Sequence, residues 1–225
     1  MEAIMLWLYK QGQQFFLFYE SADLPIALWI FCSLLFLSFY YTNNDKFQKT
    51  LSLIDKELQT TREEFIKHFR NTYIDPYPPS WMLSEILPFG VLTRVYENIA
   101  NNQTRKNIAR NFGLNVPVFT SWLTIIAVTR NACCHHARLW NISLDITPSK
   151  YYNKTPKVWL TKDEVDNAQS TRLYYTLCLI LYLLQTVNPR TKFKIHFKKL
   201  LSDYPDVNVG YMGFPNGWER HPLWK

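Results

Sequence analysis

The chain has 225 residues, 48% hydrophobic and 16% aromatic, which is enough to bury a domain-sized core. With only six glycines and 19% charged residues, it is too apolar to be disordered and too poor in glycine for a turn-rich β-sandwich. Lysine and arginine outnumber aspartate and glutamate by 25 to 18, and the net +7 favours polyanionic partners, RNA or an acidic membrane surface.

Leu24 to Tyr41 is a run of 18 residues without a charge, just long enough to span a membrane as a helix. Pro25, Ser33 and Ser38 lower its hydrophobicity, and the nearest cations are Lys10 and Lys46, so a buried core or interface helix is the preferred reading. From Asp45 to Tyr73, Phe47, Leu51, Ile54, Leu58, Phe65 and Phe69 recur at helical steps, which predicts one long amphipathic helix. The run Asp75-Pro76-Tyr77-Pro78-Pro79 stops it. Ser80 is a candidate N-cap for a helix carrying Trp81, Leu83, Ile86 and Leu87, which Pro88 should break before it resumes through Val91, Val95 and Ile99.

Asn101 to Phe112 is expected to be a short basic helix closed by Gly113. Pro117 suits the first turn of the next helix, which is expected to carry Trp122, Ile125, Ile126, Thr129, Cys133, His136 and Trp140 along one side. Ile142 to Trp159 has no period and reads as a loop. Thr161 and Glu164 form a capping box that opens an apolar helix from Asp163 to Val187. A last helix begins at Asn188-Pro189, with Phe193, Phe197, Leu200 and Leu201 inward, before an irregular tail rich in Gly, Pro and Trp. No alternating run argues for a strand, so the expected fold class is an all-α bundle.

The densest polar cluster is Arg130, Asn131, His135, His136, Arg138 and Asn141. On a helix, Asn131 and His135 share a face, as do His135 and Arg138, and the long arm of Arg130 can bend toward the same space. Histidine exchanges protons near neutral pH, and a guanidinium holds phosphate oxygens. Together they suit cleavage of RNA without a metal, the imidazole moving protons and the guanidinium stabilising charge on phosphorus-bound oxygens. The opposing reading is a structural polar network between packed helices. Charges inside a core are costly unless paired, which favours a cleft or an interface. Cys133-Cys134-His135-His136 also invites a zinc reading, but adjacent helical residues point about 100° apart and no second ligand pair exists. No metal and no cofactor are expected. The four cysteines, Cys32, Cys133, Cys134 and Cys178, show no disulfide spacing, and no basic segment precedes a short apolar run as in a cleavable signal peptide. A reducing cytoplasm is therefore expected.

The run from Arg130 through Asn141, with its trailing Arg138-Leu139-Trp140-Asn141, resembles the signature of the Abi-like family of abortive-infection proteins. Pro79 to Gly90 and Met212 to Trp218 resemble flanking segments of the same family, so that the likeness spans about residues 43–225 as an Abi-like domain behind a divergent hydrophobic segment, 1–42. The resemblance implies a helical ribonuclease of the HEPN superfamily, whose Arg-x(4–6)-His motif also occurs in RNA-guided nucleases of type VI CRISPR systems. It implies Arg130 and His135 as the motif pair with Asn131 between them, and His136 also satisfies the spacing. It further implies a two-fold dimer with a composite site, in a defence or toxin effector. The alternative function is a non-catalytic protein that holds a small structured noncoding RNA. Glu85 either positions Arg130 or is an exposed charge, with Arg138 a further supporting residue. Arg105, Lys106 and Arg110, and the denser group Lys192, Lys194, Lys198 and Lys199, are candidate RNA-backbone contacts. Tyr211, Trp218 and Trp224 either stack bases or anchor the tail to the core.

Overall fold

The computed structural model describes residues 44–135, 137–152 and 157–225. The uncharged run Leu24–Tyr41, and the whole of segment 1–42, lie outside the described residues. Among those that are described, nine α-helices and two short 3₁₀ turns account for the regular structure and there is no strand, so the protein is all-α. No single helix among them is long and apolar enough to cross a membrane. The chain divides into two compact units, one ending at Lys106 and the other running from Asn107 to Lys225.

The first unit holds α1 (Asn44–Thr60), α2 (Glu64–Thr72), α3 (Ser80–Ile86) and α4 (Phe89–Asn98). The single helix expected from Asp45 to Tyr73 is two helices, because the chain turns at Thr61–Glu63, where Glu63 is extended. Turning back brings Ile66, fully buried, onto Ile54 and Leu58, which a straight helix would have left facing solvent. The turn leaves the Leu58 carbonyl without an intrahelical donor, and the Arg70 guanidinium donates to it from α2. Leu87 and Val91 close the same cluster from the α3–α4 segment. Pro79, not Ser80, occupies the capping position of α3 and makes no side-chain cap bond, so the expected Ser80 cap is not formed. Pro88 breaks the helix as its missing N–H requires: Leu87 is extended, and the Pro88 carbonyl accepts the Val91 N–H at 2.8 Å to begin α4.

The division between the units falls within α5 (Asn102–Asn111). Its C-terminus is a Schellman motif: Gly113 has φ 73°, its N–H donates to Arg110 O at 2.8 Å, and Leu114 N–H donates to Ala109 O at 3.0 Å. α6 (Val116–Cys134) follows, capped by the Asn115 side chain accepting from Val118 N–H at 2.9 Å, with Pro117 in its first turn. Trp122, fully buried in α6, donates its indole N–H to Ser149 O at 2.9 Å and packs against Tyr151, Trp159 and Tyr182. That contact pins the irregular segment after α6 to the core.

The Thr161–Glu164 capping box is formed, but the helix it opens, α7 (Lys162–Asn167), is short. The helix expected to continue to Val187 is interrupted at residues 168–172, where Ala168 and Arg172 are extended and Thr171 O accepts Leu144 N–H at 2.8 Å. The polar run Asn167-Ala168-Gln169-Ser170-Thr171 has no apolar stripe to hold it in a helix, and its carbonyl is used to fix the loop. α8 (Leu173–Val187) then runs through the core with Tyr175, Cys178, Leu179 and Tyr182 fully buried. α9 (Phe193–Asp203) begins later than expected, since Asn188 ends α8 and Thr191 Oγ1 accepts Phe193 N–H at 3.2 Å. Phe197 turns inward onto Phe214, Trp218 and Trp224. Leu200 does not: it is 51% exposed, because α9 lies on the surface with only one side covered.

The tail is held to α7 by His221, whose Nε2 lies 3.3 Å from Glu164 Oε2, while the same carboxylate accepts the Thr161 N–H at 2.7 Å and hydroxyl at 2.8 Å. Burial works to raise this carboxyl, but the Thr161 bonds and His221 outweigh it, and it is held below its ordinary 4.5. A carboxylate with a depressed folded value stabilises the fold above the unfolded value and ceases to do so as pH falls through the folded one. Urea denaturation of wild type and Glu164→Gln should therefore differ most above about pH 4.5 and converge in more acidic buffer. A difference independent of pH would show that the carboxylate charge contributes nothing.

Candidate functional site

The motif sits where α6 runs out of core. Its buried stripe, Trp122, Ile125 and Thr129, ends at Thr129, and Arg130, Asn131, Cys133, Cys134 and His135 are all exposed. α6 stops at Cys134, and His135 is its C-cap with φ −94° and ψ 15°, donating its N–H to Asn131 O at 3.0 Å. Two expectations are corrected here. Cys133 does not face the core, and Trp140 is not on the helix, because Ala137 N–H turns back to Ala132 O at 2.9 Å and residues 137–139 are irregular. The shared helical face of His135 and Arg138 is lost for the same reason. Arg138 is exposed on the irregular segment. His136 lies outside the described residues.

Arg130 and Asn131 are brought together: Arg130 Nη1 donates to Asn131 Oδ1 at 3.4 Å. His135 sits one turn further along, its backbone tied to Asn131. The site is thus an arginine, an amide and an imidazole displayed at the carboxyl end of a rigid helix. Among the described residues no carboxylate forms an ion pair with Arg130, and the exposed guanidinium faces solvent. Glu85 is exposed on α3 of the first unit. Among the described residues no three His, Cys, Asp or Glu side chains gather as a metal site would require.

The other basic candidates separate by what already engages them. Arg105 donates from Nη1 to Glu97 O in the last turn of α4 at 3.3 Å, so its charge is used within the unit. Lys106 and Arg110 are exposed. On α9, Lys192 and Lys199 are seven residues apart and share an exposed side, whereas Lys194 and Lys198 lie on another side and are half-buried. The four lysines therefore form two pairs, not one patch. Lys157, absent from the sequence reading, donates to Asn111 O at 3.1 Å and to Thr186 Oγ1, with its ammonium 5.7 Å from the Phe112 ring centre and 5.6 Å from that of Tyr182. Burial pushes it below the ordinary lysine range, and it serves as a brace across α5 and α8.

The aromatic candidates also divide. Trp218 and Trp224 are buried at 5% and 0% exposure among Tyr174, Phe197 and Phe214, and anchor the tail. Tyr211 is 53% exposed and stands at 84° to Trp140, itself 39% exposed, with ring centres 5.7 Å apart. The pairing of Trp140 with Tyr211 joins residues 71 positions apart, which no local pattern in the sequence signals.

These features define an all-α protein that displays a basic Arg-Asn-x-x-x-His motif at the end of its central helix. A family model described as Abi-like protein matches residues 28–141, just over half of the chain, and the chain belongs to that family. The match begins ahead of residue 43 and ends at Asn141, so it contains the whole motif and stops short of the Met212–Trp218 segment. Its name ties the family to abortive infection, a bacterial defence against phage. No curated protein and no solved structure matches the chain.

Exposure of the motif end is open to a direct chemical check. Cys133 and Cys134 are exposed, whereas Cys178 is buried beside Tyr174 and Trp224 and burial pushes its thiol up to about 12. In a Cys32→Ser background, a thiol reagent should titrate two fast-reacting groups in the native protein and a third only after denaturation. Slow reaction of all three would place the end of α6 in the interior.

Proposed function

We propose that this chain is a metal-independent endoribonuclease with a HEPN-like fold, acting as an abortive-infection effector. The observation that carries the reading is the exposure of Arg130, Asn131 and His135 together at the end of α6. A structural network between packed helices would bury these groups, since that is where unpaired polar atoms need partners. Here they face solvent, where a phosphodiester can reach them.

In the reaction, a histidine removes the proton of a ribose 2′-hydroxyl. The 2′ oxygen then attacks the adjacent phosphorus and the bond to the 5′ oxygen breaks. The leaving oxygen takes up a proton from a second acid, and the products are a 2′,3′-cyclic phosphate and a free 5′-hydroxyl. Arg130 neutralises charge on the non-bridging oxygens as the pentacoordinate phosphorus forms. Asn131 holds the guanidinium by its side-chain oxygen. An isologous dimer supplies the base from one protomer's His135 and the acid from its partner's copy, which gives one phosphate two arginines and two histidines. DNA lacks the attacking hydroxyl and is not a substrate. Lys192 and Lys199 supply backbone contacts outside the reacting centre.

Arg130→Ala, His135→Ala and His136→Ala should be assayed separately on cellular RNA with EDTA present. His135→Ala is expected to slow cleavage about 100- to 10,000-fold, and Arg130→Ala about 100- to 1,000-fold. Full activity in both variants sinks the site, and activity that EDTA abolishes sinks the metal-free mechanism. A large effect in His136→Ala alone moves the histidine role by one residue. RNA that copurifies uncut with a dimeric protein favours the binding-only alternative.

A further inference from the structure

We infer that Trp140 and Tyr211 form a stacking platform for an unpaired nucleobase of the RNA whose backbone reaches the Arg130–His135 motif, an inference that rests on the ribonuclease reading. Two large rings are left in water here, 39% and 53% exposed, although the same tail buries Trp218 and Trp224 almost completely. Their edge-to-face contact, at 84° and 5.7 Å, occupies one ring face between them, and both rings keep part of their surface in water.

The rings are held in place from below by a chain of close contacts. Asn141, next to Trp140, has φ 52°, a left-handed conformation that asparagine tolerates better than most residues. Its Oδ1 accepts from Arg172 Nη1 at 3.5 Å. The Arg172 stem in turn lies against Gly213, where an added Cβ would come within 2.8 Å of the Arg172 Cβ. Gly213, with φ 84°, closes the 3₁₀ turn Val209–Met212 that carries Tyr211, donating its N–H to Gly210 O at 2.9 Å. One arginine thus links the Asn141 side chain, next to one ring, to the Gly213 turn that carries the other. Rings fixed in this way lose little freedom when a base stacks on them.

Position and charge select the ligand. Trp140 follows His135 by five residues, which places it within about 18 Å of the motif even for an extended chain. Arg138 is exposed between them, and the half-buried Arg172 reaches Asn141. Guanidinium groups beside aromatic faces suit a phosphate-linked base. A single strand presents open base faces and a duplex does not, so the platform selects unpaired RNA.

The test uses the full chain and a short fluorescein-labelled oligouridylate with 2′-O-methyl riboses, which cannot be cut through the 2′-hydroxyl, read by anisotropy. Trp140→Leu and Tyr211→Leu should each weaken binding about 5- to 150-fold, while Tyr211→Phe retains wild-type affinity. Affinity for the same strand annealed to its complement should not change. Independently of any variant, a strand bearing 5-iodouridine should photocrosslink in the wild-type protein to peptides containing Trp140 or Tyr211. Unchanged single-strand affinity in both leucine variants, an equal loss for the duplex, or crosslinks confined to other peptides would overturn the inference. So would a loss of binding explained by altered sedimentation, which would identify the platform as a contact between copies. Failure of the wild type to cut unmodified RNA sinks the ribonuclease reading and leaves this binding result standing. Cleavage with platform-independent affinity sinks the platform alone.

Discussion

The indole of Trp122 sets the geometry of the second unit. It lies fully buried near the middle of α6 and spends its one donor on Ser149 O, and Ser149 N–H in turn donates to Ser121 Oγ one residue back on the helix. Around it, Tyr151, Trp159 and Tyr182 meet mostly edge to face. Tyr151 and Tyr182 then direct their hydroxyls to Gly113 O and Phe112 O, the carbonyls at the end of α5. A loop without secondary structure is thereby given a fixed path, and the helix that carries the motif is clamped on both flanks. The motif itself needs no core of its own because the turns before it are buried and hydrogen-bonded.

A helix clamped at its centre can afford an end that projects from the core. Beyond Thr129 no side chain of α6 is fully buried, and Arg130 and Asn131 are ones a core would reject. The polarity of Arg130, Asn131 and His135 is tolerated because their helical turn is held by the backbone, with Asn131 O engaged by His135 N–H. Function and stability are thus assigned to different parts of one element, its middle and its end.

Local chemistry made much of this legible from residue order. The capping box at Thr161, Pro117 in the first turn of α6, the break at Pro88 and the glycine closure at Gly113 each depend on a few neighbouring residues, and each is present. Two helices expected to be continuous are broken, each for its own reason. Helical periodicity continues through Thr61–Glu63, yet the chain turns there and buries Ile66, whereas at Ala168–Arg172 the apolar stripe lapses and Thr171 O takes the Leu144 N–H. Burial on α9 was also over-read, since Leu200 has the right spacing but nothing covers it. The Arg130 cluster stood out by composition alone. Its solvent exposure, and the meeting of Trp140 with Tyr211, come from where the core ends and how the tail returns, which no short window contains.

Trp224 packs against Tyr174 from α8 and Phe197 from α9, and His221 reaches back to Glu164 ahead of both helices. These contacts join distant points of the chain and gain nothing until the intervening helices exist. The tail therefore docks only on helices that are already in place. Tyr211 rides on that tail, so its meeting with Trp140 depends on the same docking, and a chain whose tail is loosened loses the exposed aromatic pair as well.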